Sequence, residues 1–205
     1  VEASIAPVRP LAPPWRRVLL PGIAGLLLLA TVPVVYGLRF DAATVGPLRL
    51  WGGSLVQIAV GLLLVSRALA ESIPGRLAPR RLVAGTGGVG LLVMVALTGL
   101  TFLASPTQVP PDGARYFEVC ATRSLGLGLV PLLVGLALLA RGLLVRPLLV
   151  GALLGLGAGL LADASWRLYC EVSDPAHVLT AHLLAVVGNA AAGATAAWLV
   201  SRWAR

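Results

Sequence analysis

Residues 147–170 read PLLVGALLGLGAGLLADASWRLYC. This run is long enough to cross a bilayer as a helix, which takes roughly 20 apolar residues. Gly151, Gly155 and Gly159 recur at every fourth position. Glycines at that spacing share one helix face and let a neighbouring backbone come close. The stretch therefore predicts a membrane helix packed centrally among others, with Asp163 as its one acidic residue and Cys170 at its far end.

Five more segments qualify as spans. The six run approximately 15–36, 50–70, 82–104, 117–140, 147–169 and 178–201. Composition agrees: 58% of the 205 residues are hydrophobic and 12% are charged, with a mean hydropathy of +0.93. Lipid, not water, must then solvate the helix exteriors. The expected fold is all-α: a polytopic six-transmembrane-helix bundle over 15–205, preceded by a Pro/Arg arm at 1–14. The first apolar stretch is long enough to span and has no small-residue cleavage site behind it, so it is read as a helix and not as a removable leader.

Every one of the 16 basic residues is arginine, in a composition rich in Gly and Pro that fits a GC-rich bacterial genome. One set of helix ends carries Arg9, Arg16, Arg17, Arg67, Arg76, Arg80, Arg81, Arg141, Arg146, Arg202 and Arg205. The other carries five, Arg39, Arg49, Arg115, Arg123 and Arg167. The positive-inside bias then places both termini in the cytoplasm. The +8 charge belongs to topology, and no basic stripe interleaved with aromatics suggests direct nucleic-acid binding. Trp51, Tyr116, Trp166 and Tyr169 are expected in an outer aromatic belt. Gly188, Ala192 and Ala196 are a weaker small-residue stripe on the sixth helix. The Gly155–Gly157 pair follows no strand and is not a dinucleotide fingerprint.

Intramembrane polar residues are costly and need partners. Gln57 and Asn189 suit interhelical hydrogen bonds. Asp163 is expected to pair with Arg123, one turn beyond Cys120, or to serve a proton or ligand. Cys120 and Cys170 are the only thiols, and the helix order puts both at the outer face. With His177 and His182 they form a set suited to Cu(I), Zn(II) or Cd(II), although the Cys–x6–His–x4–His spacing matches no standard zinc motif. A reversible disulfide is the competing use of the same thiols. No Cys-x-x-Cys is present, which argues against a membrane thiol oxidoreductase. Asp163 and His182 leave a small proton- or metal-linked transporter open, without the repeats such folds show. A serine protease is disfavoured because Ser54 has no histidine at its depth.

The arm Pro7-Val8-Arg9-Pro10-Leu11-Ala12-Pro13-Pro14 resembles the start of NrsF-type proteins, bacterial inner-membrane anti-sigma factors. So does the order that follows: Cys120, then Arg141 and Pro147, then Trp166-Arg167-Leu168-Tyr169-Cys170, then Ser173-Asp174-Pro175-Ala176-His177-Val178-Leu179 and His182. Ala185 departs from the family's Pro. The resemblance implies a non-enzymatic regulator that holds an extracytoplasmic-function sigma factor at the membrane. It also implies release on heavy-metal or oxidant stress through Cys120 and Cys170. Arg9, Arg16, Arg17, Arg80 and Arg81 are the expected contacts to an acidic sigma-factor surface, and membrane lipid is the other partner.

Overall fold

The computed structural model describes residues 11–73, 75–106 and 113–203. Six helices dominate it: α1 (Trp15–Tyr36), α2 (Leu48–Glu71), α3 (Arg80–Ala104), α4 (Gly113–Leu139), α5 (Pro147–Trp166) and α6 (Pro175–Trp203). All six are long and apolar enough to cross a membrane. No strand occurs among the described residues. Arg9 and most of the Pro/Arg arm lie outside the described residues.

Boundaries follow local chemistry. Gly37, at φ +90°, ends α1 while its N–H bonds the Pro33 carbonyl; a side chain there would be strained. The last helix starts three residues earlier than its apolar run because Asp174 caps it: the Asp174 carboxylate accepts from the Ala176 N–H at 2.7 Å, and Pro175 occupies the first helical position. The fifth helix ends at Trp166, earlier than expected, and tightens into turns that carry Tyr169 and Cys170.

Helix α5 is the centre of the bundle, buried along nearly its whole length. It packs against α6, α2, α4 and α1. Its glycines explain how. On one side, a Cβ at Gly151 or Gly155 would strike the Gly193 or Asn189 backbone carbonyl, and one at Gly159 would sit 2.9 Å from the Val186 Cα. On another, a Cβ at Gly157 would sit 2.7 Å from the Gly61 carbonyl oxygen of α2. Two neighbouring backbones therefore touch α5 directly. The α6 face that meets it is Val186, Asn189, Gly193 and Ala197, not the Gly188, Ala192 and Ala196 stripe read from sequence. Gly188 lies about 100° away from Asn189 around the helix and faces Leu125 of α4. Ala185 is buried and the helix continues through it, its carbonyl accepting from the Asn189 amide at 3.0 Å. The remaining core is Leu64, Val65, Met94, Leu132, Leu153, Leu154 and Leu160.

Polar ties stitch both ends. At the thiol end, the Arg39 guanidinium pairs with Asp41 and donates to Ser173 Oγ at 2.7 Å and the Glu171 carbonyl at 3.1 Å. Asp41 also accepts from Ser105 Oγ at 2.6 Å. At the opposite end, buried Glu71 pairs with Arg67 and accepts from the Ala78 N–H at 2.9 Å. Arg146 donates to the Ala78 carbonyl at 2.7 Å. Arg17, expected to face a partner, turns inward instead. It donates to the Leu138 carbonyl at 2.5 Å, Ser72 Oγ at 3.3 Å and the Leu69 carbonyl at 3.4 Å. Carbonyls in the last turn of a helix lack some of their backbone partners, and the guanidinium supplies donors to two of them.

Replacing Gly155 with leucine should destabilise the bundle by more than the roughly 1–3 kcal/mol usual for overpacking, because the obstacle is backbone and not a rotatable side chain. Gly126→Ala, where nothing lies within 4 Å of an added Cβ, should be close to neutral. Thermal unfolding of the two variants in detergent checks this; equal melting would refute the close-packing account.

Candidate functional site

Three elements deliver four donors to one point. Helix α4 carries Cys120 about two turns from its start, and the turn after α5 carries Cys170. The start of α6 carries His177 and His182. Residues five apart on an α-helix diverge by about 140°. Here Val178–His182 winds as a π-helical turn, which closes i to i+5 and aligns the two imidazoles. Their ring centroids are 5.4 Å apart, edge to face.

The donor atoms of Cys120, Cys170, His177 and His182 all lie within 4.8 Å of one another, and all four residues are buried. The two sulfurs are 3.5 Å apart, and Cys170 Sγ is 3.7 Å from His177 Nε2. Both cysteines are free thiols. A sulfur pair on a tetrahedral zinc-like ion, with bonds near 2.3 Å, sits about 3.8 Å apart. The observed separation is thus close to a metal-spanning edge and far longer than a disulfide of about 2.05 Å.

His182 is held from behind. Its Nδ1 lies 2.6 Å from Asp163 Oδ1. Asp163 Oδ2 accepts from Gln57 Nε2 at 2.6 Å, and Gln57 Oε1 accepts from Arg167 Nη1 at 3.1 Å. Arg167 Nη2 donates to Thr101 Oγ1 at 2.7 Å. The chain runs from α6 through α5 and α2 to α3. With Nδ1 engaged, the remaining His182 donor is Nε2, which is buried and has no hydrogen-bond partner. A buried ring nitrogen without a partner beside two thiols and a second imidazole fits a soft or borderline cation: two S and two N donors suit Zn(II), Cd(II) or Cu(I).

A cleft of about 450 Å³ reaches the thiols, lined by Arg39, Arg115, Tyr116, Cys120, Tyr169 and Cys170 among others. Trp166 is not a belt residue. It is 1% exposed and packs beneath the thiols, 5.3 Å from the Tyr36 ring and 4.8 Å from Tyr169. The Cys120 sulfur beside it, and then burial, push the Cys170 thiol well above the ordinary thiol range. Nearby, burial works to raise the Asp41 carboxyl, but hydrogen bonds from Arg39 and Ser105 and the Arg39 charge hold it below the usual carboxylate range.

The expected Arg123–Asp163 pair does not form. Arg123 lies on the exposed face of α4 and donates to Tyr36 Oη at 3.4 Å. Asp163 faces the interior, where His182 and Gln57 already satisfy it. Gln57 and Asn189 do bond between helices, Asn189 reaching the Leu125 carbonyl at 3.4 Å. Arg16, Arg80 and Arg81 are exposed at the far end, with Arg16 also over the Trp15 ring at 4.9 Å. The sequence reading did not single out Arg39, Asp41, Glu71 or the bonding of Arg167. Each is an arginine or acid within a few residues of a span, a position that topology signals occupy too, so nothing local marked them.

The structure defines an all-helical bundle, with six helices long and apolar enough to cross a membrane, whose one end encloses a thiol–imidazole cluster. The family model described as NrsF, negative regulator of sigma F, matches residues 2–203, and the chain belongs to this family of sigma-factor regulators. No curated protein and no solved structure matches the chain.

The Asp41 tie has a definite pH signature. A carboxyl held low in the fold stabilises it above the unfolded value of about 3.9 and loses that contribution as pH falls through the lower folded value. Melting temperature followed through this acid range should fall less steeply in Asp41→Asn than in the parent, from a lower starting point. Parallel curves would refute the assignment.

Proposed function

We propose that this protein is a membrane-embedded anti-sigma factor. It holds an extracytoplasmic-function sigma factor at the bacterial inner membrane and releases it when a heavy metal or an oxidant reaches the thiol cluster. The membership of a family of negative regulators of a sigma factor supports the partner. The arginine asymmetry supports an orientation with both termini in the cytoplasm and the thiol end outside. The observation that carries the sensing role is the convergence of Cys120, Cys170, His177 and His182 at the end opposite exposed Arg16, Arg80 and Arg81. The intervening α5 has 20 residues, about 30 Å of helix.

Either signal ties the same elements to one another. A cation replaces the two thiol protons and binds Cys120 and Cys170 with the imidazoles. A two-electron oxidant takes two electrons and two protons from the thiols and leaves a Cys120–Cys170 disulfide, which requires the sulfurs to close by about 1.5 Å. Both lock the start of α4, the end of α5 and the start of α6 to one another, and the disulfide also pulls α4 toward the end of α5. Helix α5 touches α6 and α2 backbone to backbone, so it moves with them and not independently. Its other end carries the Arg146 tie to Ala78 and, through Glu71, the connection that leads to Arg80 and Arg81. Arg17 is left out of the partner-facing set because the helix ends engage it.

The test uses intact spheroplasts bearing the wild type, Cys120→Ser or Cys170→Ser, labelled with a membrane-impermeant maleimide. Wild-type thiols should label from outside, and Cd(II) should protect both together. The Ser variants should retain the sigma factor at the membrane under Cd(II), while the wild type releases it. Release from a double Cys→Ser protein would overturn the sensing role.

A further inference from the structure

The thiols alone do not account for the site. Asp163 is an acid in the last turn of an apolar helix, 1% exposed, and such burial is disfavoured without a task. Its two oxygens are divided between His182 Nδ1 and Gln57 Nε2, each at 2.6 Å. Gln57 is in turn oriented by Arg167 and by the Leu160 carbonyl, 3.3 Å from its amide nitrogen. A carboxylate on one imidazole nitrogen fixes the tautomer and directs the other nitrogen away from itself. That other nitrogen, His182 Nε2, is buried without a partner in the four-donor cluster.

We propose that Asp163 is a positioning residue of the cluster: by holding His182 Nδ1 it aims Nε2 at the two thiols, so that the site takes a four-coordinate soft cation, Zn(II) or Cd(II), rather than acting as a thiol pair alone. This rests on the metal-sensing reading above and deepens it. The supporting chain Asp163–Gln57–Arg167–Thr101 crosses from α5 to α2 and α3. A cation on His182 therefore pulls on the same carboxylate that anchors α2. The fourth ligand is coupled to the interior of the bundle, whereas Cys120 and Cys170 are coupled only to its end.

The experiment is titration of the full-length chain in detergent, reduced, with Cd(II) followed by sulfur-to-metal charge transfer and Co(II) followed by its visible bands. The wild type should bind one ion with the intense visible spectrum of four-coordinate cobalt. Asp163→Asn should keep the charge-transfer band but lose about 10–100-fold in affinity, the usual effect of removing an outer-shell partner. In a His182→Ala background the same substitution should make no further difference, because Asp163 acts through His182. Gln57→Leu, which leaves Asp163 in place, supplies a milder variant should Asp163→Asn fold poorly, and it should weaken binding in the same direction. Unchanged affinity in both Asp163→Asn and Gln57→Leu, or equal losses with and without His182, would overturn the positioning role while leaving thiol binding intact. No metal-dependent spectrum in the wild type would overturn the metal reading itself.

Discussion

The backbone contact between α5 and its two neighbours governs the rest of the structure. Helices apolar enough to cross a membrane would find little hydrophobic drive toward one another in lipid, where packing and interhelical hydrogen bonds must hold them. Glycines at 151, 155, 157 and 159 let the α6 and α2 backbones approach within a distance that any Cβ would block. Each glycine in a helix interior costs roughly 0.5–1 kcal/mol relative to alanine. A helix that carries four of them is stable only because close packing offsets that loss.

Once α5 is fixed, the polar residues of the interior have defined places. Asp163 faces α6 and α2 together, which is why it can hold His182 and Gln57 at once. The same central helix ends beside α4 and the start of α6, so its terminal turn delivers Cys170 to Cys120 and His177. The π-helical turn at Val178–His182 completes the arrangement. An ordinary α-turn would point the second imidazole to another face. Such insertions recur at functional sites because they re-aim one side chain without moving the element.

The two ends are built differently. The thiol end is tied through Arg39 and Asp41, which gather three connections around the cluster. The arginine end is tied through Glu71 and Arg17, while Arg16, Arg80 and Arg81 remain exposed. One end thus encloses the thiol–imidazole cluster, and the other presents positive charge. The helix between them is in direct backbone contact with two others.

The amino-acid sequence by itself determined the six apolar helices and the central place of α5. Span length and the four-residue glycine repeat are local properties that need no partner to be read. Arginine counts carried the expected orientation, and the order of Cys120, Asp163, Cys170, His177 and His182 carried the candidate site. What tertiary structure decided is which polar groups meet. Arg123 and Asp163 were an equally good match by charge, yet helix rotation turns Arg123 outward and brings His182 to Asp163. Arg17 looked like an exposed topology signal until the ends of α2 and α4 placed their terminal oxygens around it. Trp166 looked interfacial until Tyr36 and Tyr169 enclosed it. Rotation about a helix axis and the pairing of chain ends depend on contacts far apart in sequence, and periodicity along one helix does not contain them.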